Sequence, residues 1–144
     1  MTRAPKAAAE KTYRFTPRLN TEQIESGHVF VPKFNEDGLI TCVITDAWSG
    51  DVLMLAYMNA EALGRTIETG QVWFFSRSRK KLWRKGEQSG HGLRCVEMRV
   101  DCDQDALWLK VRVAGDGGCC HTGRRSCFYR KVETVEGHAV LVPA

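Results

Sequence analysis

Residues 39–57 read LITCVITDAWSGDVLMLAY, and this stretch decides the fold class. Leu39 to Thr45 is rich in β-branched residues (Ile40, Thr41, Val43, Ile44) and follows the turn-forming run Asn35-Glu36-Asp37-Gly38, which predicts a strand. Trp48-Ser49-Gly50-Asp51 supplies a second turn, so Val52 to Tyr57 reads as the returning strand of a hairpin.

Downstream, Asn59 is a good helix N-cap, Glu61 suits the positive end of the helix dipole, and Gly70 is a natural stop. These signals predict a helix over Ala60 to Thr69. Val72 to Ser76 reads as a short strand, and the basic, glycine-containing segment Arg77 to Gly92 as mostly loop. Leu93 to Val100 and Ala106 to Val113 read as strands; Leu107, Leu109, Val111 and Val113 alternate along one face. Asp101 to Asp105 joins them as a tight connection, and Gly115 to Gly118 is a loop. Ser126 to Val132 and Ala139 to Val142 read as the last strands. The expected fold class is α+β, a mostly antiparallel sheet with one principal helix.

Upstream there is no repeat, and Ala7-Ala8-Ala9 is the one low-complexity run. Residues 1–23 are expected to form a flexible N-terminal extension and 24–144 one domain, since 144 residues suit a single core. With 43% hydrophobic and 26% charged residues, the composition is that of an ordinary soluble globular protein. No run approaches the ~20 apolar residues of a membrane helix. Arg3, Lys6 and Lys11 have no continuous apolar core beside them, so the N-terminus is not read as a secretory signal, and a cytoplasmic location is expected. A net charge of +4 permits an anionic ligand without demanding nucleic acid.

Of six cysteines, four lie between Cys102 and Cys127. Without a sign of export, clustered thiols read as metal ligands rather than disulfides. Cys102, Cys120 and Cys127 give three thiolates and no obvious fourth ligand, the pattern of a catalytic zinc with one position open. Cys119, His121 and His91 remain alternatives that would close the site. Cys42 and Cys95 sit in apolar strands and read as plain buried cysteines.

In Asp101-Cys102-Asp103-Gln104-Asp105 an extended chain would place three carboxylates on one face and Cys102 on the other. Three hard oxygen donors suit Mg²⁺. A zinc thiolate facing away from its own carboxylates points to completion by cysteines of another subunit, hence a homodimer with a shared site. The loop Trp83 to His91, together with Ser76-Arg77-Ser78-Arg79, suits phosphate binding through Arg77, Arg79, Lys85 and Ser89. His91 or Glu87 offers proton transfer. Trp48, Trp73 and Trp108 read as core aromatics, and His28 and His138 as structural or surface residues.

Five segments in this order, DVLMLAYMNAEAL (51–63), WFFSRSRKKLW (73–83), KGEQSGH (85–91), VDCDQDALW (100–108) and CHTGRRSCFYR (120–130), closely resemble the phosphoribosyl-AMP cyclohydrolase family. The resemblance implies a compact, interlocked α+β homodimer with zinc bound across the interface. It implies zinc on Cys102, Cys120 and Cys127 and Mg²⁺ on Asp101, Asp103 and Asp105. The implied reaction is hydrolysis of the N1–C6 bond in the adenine ring of phosphoribosyl-AMP, a step of histidine biosynthesis giving a formimino-carboxamide ribonucleotide. His121 and His91 are then the candidate proton donors to N1. Three features depart from the family's pattern: Cys119 in place of a non-thiol residue, Gln88 in place of a small hydroxyl residue, and a slightly long Gly115–Gly118 loop. With no pyrophosphohydrolase domain after Ala144, the monofunctional version is expected.

Three rivals belong to other classes. The thiols and the cluster Arg77, Arg79, Lys80, Lys81, Arg84 and Lys85 suggest a zinc-stabilised nucleic-acid-binding module, but finger or ribbon spacing is lacking. A nucleobase deaminase would need H-x-E and P-C-x-x-C elements. A redox protein built on Cys119 and Cys120 would need an unstrained bridge between adjacent residues. The expected partner is therefore a small nucleotide, with neither nucleic acid nor membrane.

Overall fold

A computed structural model describes residues 13–87, 92–115 and 118–144. Gln88, Ser89, His91 and the middle of the 115–118 loop lie outside the described residues. The elements in chain order are α1 (Thr21–Ser26), β1 (Ile40–Asp46), β2 (Val52–Met58), α2 (Ala60–Thr69), β3 (Trp73–Ser76), β4 (Lys81–Arg84), β5 (Leu93–Val100), β6 (Ala106–Val113), β7 (Arg130–Val135) and β8 (His138–Pro143).

The expected hairpin forms as β1–β2, and its turn shows why. Asp46 Oδ1 accepts the N–H groups of Trp48 and Ser49, both at 2.8 Å, and Gly50 supplies a φ of 79°. The Trp48 side chain is consequently carried out into solvent and is 98% exposed, which corrects its reading as a core aromatic. In α2, Asn59 Oδ1 accepts from Ala62 N at 2.8 Å, and Gly70 closes the helix in the left-handed region. The end signals read from the sequence are thus the ones the chain uses.

The main sheet has the order β2-β1-β6-β5. β1 pairs antiparallel with β2, and β5 antiparallel with β6, but β1 and β6 run parallel from Thr41↔Ala106 to Asp46↔Val111. β2, α2, the β3–β4 ribbon and β5 together make the crossover that a parallel pair requires. The alternation read in β6 is realised, with Leu107, Leu109 and Val111 buried. They pack with Cys42, Ile44, Leu53, Leu63 and Phe74 in one core beneath α2. The architecture is α+β with mostly antiparallel pairing, as expected.

Four local differences stand out. β4 lies inside the expected loop: Trp83 packs on Phe74 with ring centroids 5.0 Å apart, and Lys80 at φ 49° turns the chain tightly enough to pair it with β3. The basic residues around Trp83 hid that strand. The short α1 is capped by Asn20, whose Oδ1 accepts from Gln23 N. β7 begins at Arg130 rather than Ser126, because Ser126 and Cys127 bond instead to the carbonyls of Val52 and Leu53, both at 2.7 Å. Finally, residues 13–23 of the expected extension lie against the domain. Arg18 donates to the carbonyls of Val31 and Asp103, and the Tyr13 hydroxyl bonds the Glu68 carboxylate.

The Tyr13 ring rests directly on α2 at Gly64, where an added Cβ would stand 2.0 Å from Tyr13 Cδ1. Glycine inside a helix costs up to about 1 kcal/mol relative to alanine, so its presence here reflects close approach. Gly64→Ala should release the N-terminal segment and speed tryptic cleavage after Arg14 and Arg18 several-fold. Unchanged cleavage kinetics would show that the Tyr13 contact does not hold the segment.

Candidate active site

The thiol loop, 118–127, is built on short backbone bonds. Cys120 N donates to Arg124 O at 2.9 Å, and Gly123 N to Cys120 O at 2.9 Å. Arg125 then fastens the loop to the β1–β2 turn. Its guanidinium reaches Ser49 Oγ at 2.9 Å and Asp46 Oδ2 at 3.3 Å, and it also pairs with Asp51. The N–H groups at Ser49 and Trp48, together with the Arg125 charge, hold the Asp46 carboxyl below its usual range against the opposing effect of burial. Cys127 sits where its N–H meets Leu53 O, beside the first residues of β2.

The three cysteines of this loop differ sharply. Cys119 turns into the apolar core, and burial pushes its thiol up. Cys120 and Cys127 hydrogen-bond each other. Burial raises Cys127, and the neighbouring Cys120 charge and hydrogen bond add to this, to about 11. Burial also opposes ionisation of Cys120. The Thr122 hydroxyl at 3.1 Å, the Thr122 N–H, the Cys127 thiol and the Lys85 charge outweigh it and bring Cys120 below its ordinary value. Cys127 therefore keeps its proton near neutral pH while Cys120 ionises more readily than an ordinary thiol, and deprotonating both calls for a cation. Cys42, pushed up to about 12 mainly by burial, is the plain buried cysteine expected, whereas Cys95 is only half-buried, its thiol also raised by burial.

Two adjoining hollows flank this pair. One, of about 380 Å³, is lined by Arg79, Lys85, Glu87, Cys120 and His121 among others. The second, of about 300 Å³, is lined by Tyr57, Arg77, Arg79, Lys85, His121 and Cys127. The fold thus brings Arg77, Arg79 and Lys85 to His121, Cys120 and Cys127 across some forty residues of sequence. The β3–β4 ribbon does this by curling its basic turn back over β2. Arg77 lies over the Tyr57 ring, 4.1 Å from its centroid, and Ser76 Oγ accepts from Arg79 N at 3.2 Å. The Glu87 carboxylate accepts from Arg84 N at 3.1 Å, so it also closes the turn after β4.

The acidic turn stands elsewhere. Asp101, Asp103 and Asp105 offer one oxygen each within 4.8 Å of one another, the one such group of metal-capable side chains found among the described residues. Asp101 Oδ1 accepts from Asp105 N at 2.9 Å and Ala106 N at 3.1 Å. Hydrogen bonds with Asp103 and Asp101 raise Asp105 to about 6, while Asp101 is lowered, chiefly by hydrogen bonds from Asp105 that outweigh its desolvation. Cys102, exposed on this turn, does not join Cys120 and Cys127. The sheet register explains the separation. The turn ends beside Ala106, opposite Thr41, whereas the thiol loop docks by Val52, opposite Thr45. Four residues of β1 separate the two points, roughly 13 Å at ~3.3 Å per residue.

Sequence reasoning missed Arg125 and Gln104, the two residues that fasten these loops. Arg125 lies among several basic residues with nothing to single it out, and Gln104 was passed over between two carboxylates. A buried glutamine in an acidic turn is a readable signal only once burial is known.

Fold and hollow together define a small α+β domain with a cationic, thiol-lined opening. The family model of phosphoribosyl-AMP cyclohydrolase matches residues 54–129. The phosphoribosyl-AMP cyclohydrolase of Rhodopseudomonas palustris (strain BisB18) is 59% identical over 129 residues, covering 89% of this chain and 87% of that relative. That of Bradyrhizobium diazoefficiens is 61% identical over 123 residues, covering 85% and 86%. That of Nitrobacter hamburgensis is 64% identical over 114 residues, covering 79% and 76%. The chain belongs to the phosphoribosyl-AMP cyclohydrolase family.

Two expectations follow from the electrostatics. Because the folded state raises Asp105 from 3.8 to about 6, it holds that proton more tightly than the unfolded chain. Metal-free protein should therefore lose stability as pH rises from about 4 to about 6, with no further loss from this group above that window. Asp105→Asn should flatten this part of a urea-melt pH series, and an unchanged slope would refute the assignment. Arg125→Ala should raise the alkylation rate of Cys120 and Cys127 by iodoacetamide several-fold without affecting Cys42. Equal rates would mean that the loop holds its place without the guanidinium.

Proposed function

We propose that this enzyme opens the adenine ring of phosphoribosyl-AMP by metal-dependent hydrolysis of its N1–C6 bond, acting as a homodimer. The observation that carries the reading is the meeting of Arg77, Arg79 and Lys85 with His121 and the Cys120–Cys127 pair at one opening, in a chain of this family.

The donor sets fit two different cations. Two adjacent thiols, one of them more readily ionised than usual, suit a soft metal such as zinc, with Cys102 as the third ligand. Three carboxylates within 4.8 Å, one of them still protonated near pH 6, suit a hard cation such as Mg²⁺. Bound there, zinc supplies a Lewis acid that makes water nucleophilic near neutral pH, and Mg²⁺ supplies charge for phosphate oxygens.

The chain's own groups do the rest. Arg77 and Arg79 present planar guanidinium forks to phosphate, and Lys85 a point charge; together they fix the substrate's orientation. In the net reaction water's oxygen ends on C6 as the carboxamide carbonyl, the N1–C6 bond breaks, one of water's protons ends on the exocyclic nitrogen and the other on N1. His121, lining both hollows, is the described residue placed to hold that proton. His91 and Ser89 keep their proposed roles as second donor and phosphate ligand. Arg77, stacked on Tyr57, is already set in one orientation, which favours binding over reorganisation.

Completion of the thiolate set calls for a second copy of the chain, because Cys102 is distant from the pair in its own chain. The β7–β8 hairpin supports this. It starts at Arg130, just past Cys127, and leaves Val132, Val135 and Leu141 exposed. A two-stranded hairpin is at best marginally stable alone in water, so a covering surface is expected.

The test is a spectrophotometric ring-opening assay on phosphoribosyl-AMP, before and after exhaustive chelation, with sedimentation analysis alongside. Turnover should vanish on chelation and return with zinc, and the protein should sediment as a dimer. Turnover that survives chelation would overturn the metal role, and a fully active monomer the shared site. Absence of turnover from zinc-loaded dimer would overturn the reaction itself. Cys127→Ser should abolish turnover, whereas Arg77→Ala should mainly raise KM; a pure kcat loss in the latter would contradict phosphate binding.

A further inference from the structure

The acidic turn is held to the body of the protein through one side chain that none of the proposed chemistry uses. Gln104 sits between Asp103 and Asp105, is 5% exposed, and has a φ of 57°. Burying a primary amide is costly unless both of its ends are bonded, and here both are. Its Oε1 accepts from Val31 N at 2.8 Å, and its Nε2 donates to Ile24 O at 2.8 Å. Its main-chain carbonyl accepts from Lys33 N at 2.7 Å. A second tie runs beside it: Arg18 donates to Asp103 O at 2.8 Å and to Val31 O at 2.7 Å.

Four of these bonds join the turn to a strap formed by residues 18–33, the fifth, from Arg18 to Val31 O, bracing the strap itself, and they decide where the carboxylates go. With Gln104 drawn inward, Asp103 and Asp105 on either side remain exposed and converge with Asp101. Like-charged carboxylates repel, and a free turn would spread them. Asp101 closes the turn from within through the N–H groups of Asp105 and Ala106, and the amide clamp anchors it from outside, on the side of Asp103 and Asp105.

We infer that Gln104, backed by Arg18, is the positioning residue of the carboxylate turn, setting its readiness for a hard divalent cation. The inference rests on the reading of Asp101, Asp103 and Asp105 as that cation's ligands. Asparagine at 104 keeps the amide and tolerates the left-handed backbone, but it is one methylene too short to span Ile24 O and Val31 N together.

The experiment is Mn²⁺ binding to the zinc-loaded full chain, followed by the electron paramagnetic resonance signal of free Mn²⁺. Gln104→Asn and Arg18→Ala should each weaken Mn²⁺ binding about tenfold, the lower end of what losing an outer-shell partner costs. Zinc content and far-ultraviolet circular dichroism should not change, which separates positioning from general loss of fold. Should Gln104→Asn fail to fold, Arg18→Ala decides alone. Wild-type affinity in the folded variants, with binding lost in Asp103→Asn, would overturn the clamp and leave the ligand reading standing. Wild-type affinity in Asp103→Asn would overturn the ligand reading and the clamp with it.

Discussion

The carboxylate of Asp46 is where the sheet and the thiol loop become one structure. Its Oδ1 closes the β1–β2 turn through two backbone N–H groups, and its Oδ2 faces Arg125. Tightness of the turn and position of the loop are therefore linked. The guanidinium finds Ser49, Asp46 and Asp51 converging only because the turn is formed, and Cys127 then reaches the edge of β2. An exposed ion pair is worth little by itself, but a fork on three partners fixes geometry even where it adds little energy. The hollow beside the thiols inherits that geometry.

A second consequence concerns charge. Cys120 and Cys127 sit side by side in a partly desolvated place, and the protein tolerates this by keeping one of them protonated. The acidic turn follows the same rule with oxygen in place of sulfur: Asp101 is lowered while Asp105 is raised. A proton on Cys127, and below about pH 6 one on Asp105, stands in for part of a positive charge. The two clusters differ in softness, and β1 keeps them apart.

Much of this was legible along the chain, for local reasons. The Asn59 cap, the Gly70 stop and the alternation from Leu107 to Val111 are short-range signals, and each element follows them. What escaped was set by contacts distant in sequence. The parallel pairing of β1 with β6 joins residues some sixty-five positions apart, and no local pattern encodes it. β4 was masked because its apolar anchors, Leu82 and Trp83, lie among lysines and arginines. Trp48 was misplaced because an aromatic ring suggests a core even when the backbone beneath it is a turn. The residues that line the two hollows could be singled out by type and spacing, whereas the two fasteners, Arg125 and Gln104, gain meaning only from their partners at Asp46 and Val31.

The N-terminal strap shows how far that non-local logic extends. Arg18 and the backbone at Ile24, Val31 and Lys33 are some seventy to eighty-five residues from the turn they hold. Hydrogen bonds alone return too little to order such a segment, and apolar burial adds to them: Phe15, Phe30 and Phe34 pack as a cluster against the main core. Aromatic burial thus makes the strap part of the fold, and the strap in turn gives the acidic turn a fixed wall. On the proposed reading, a segment without any catalytic side chain determines whether three carboxylates stand close enough to act together.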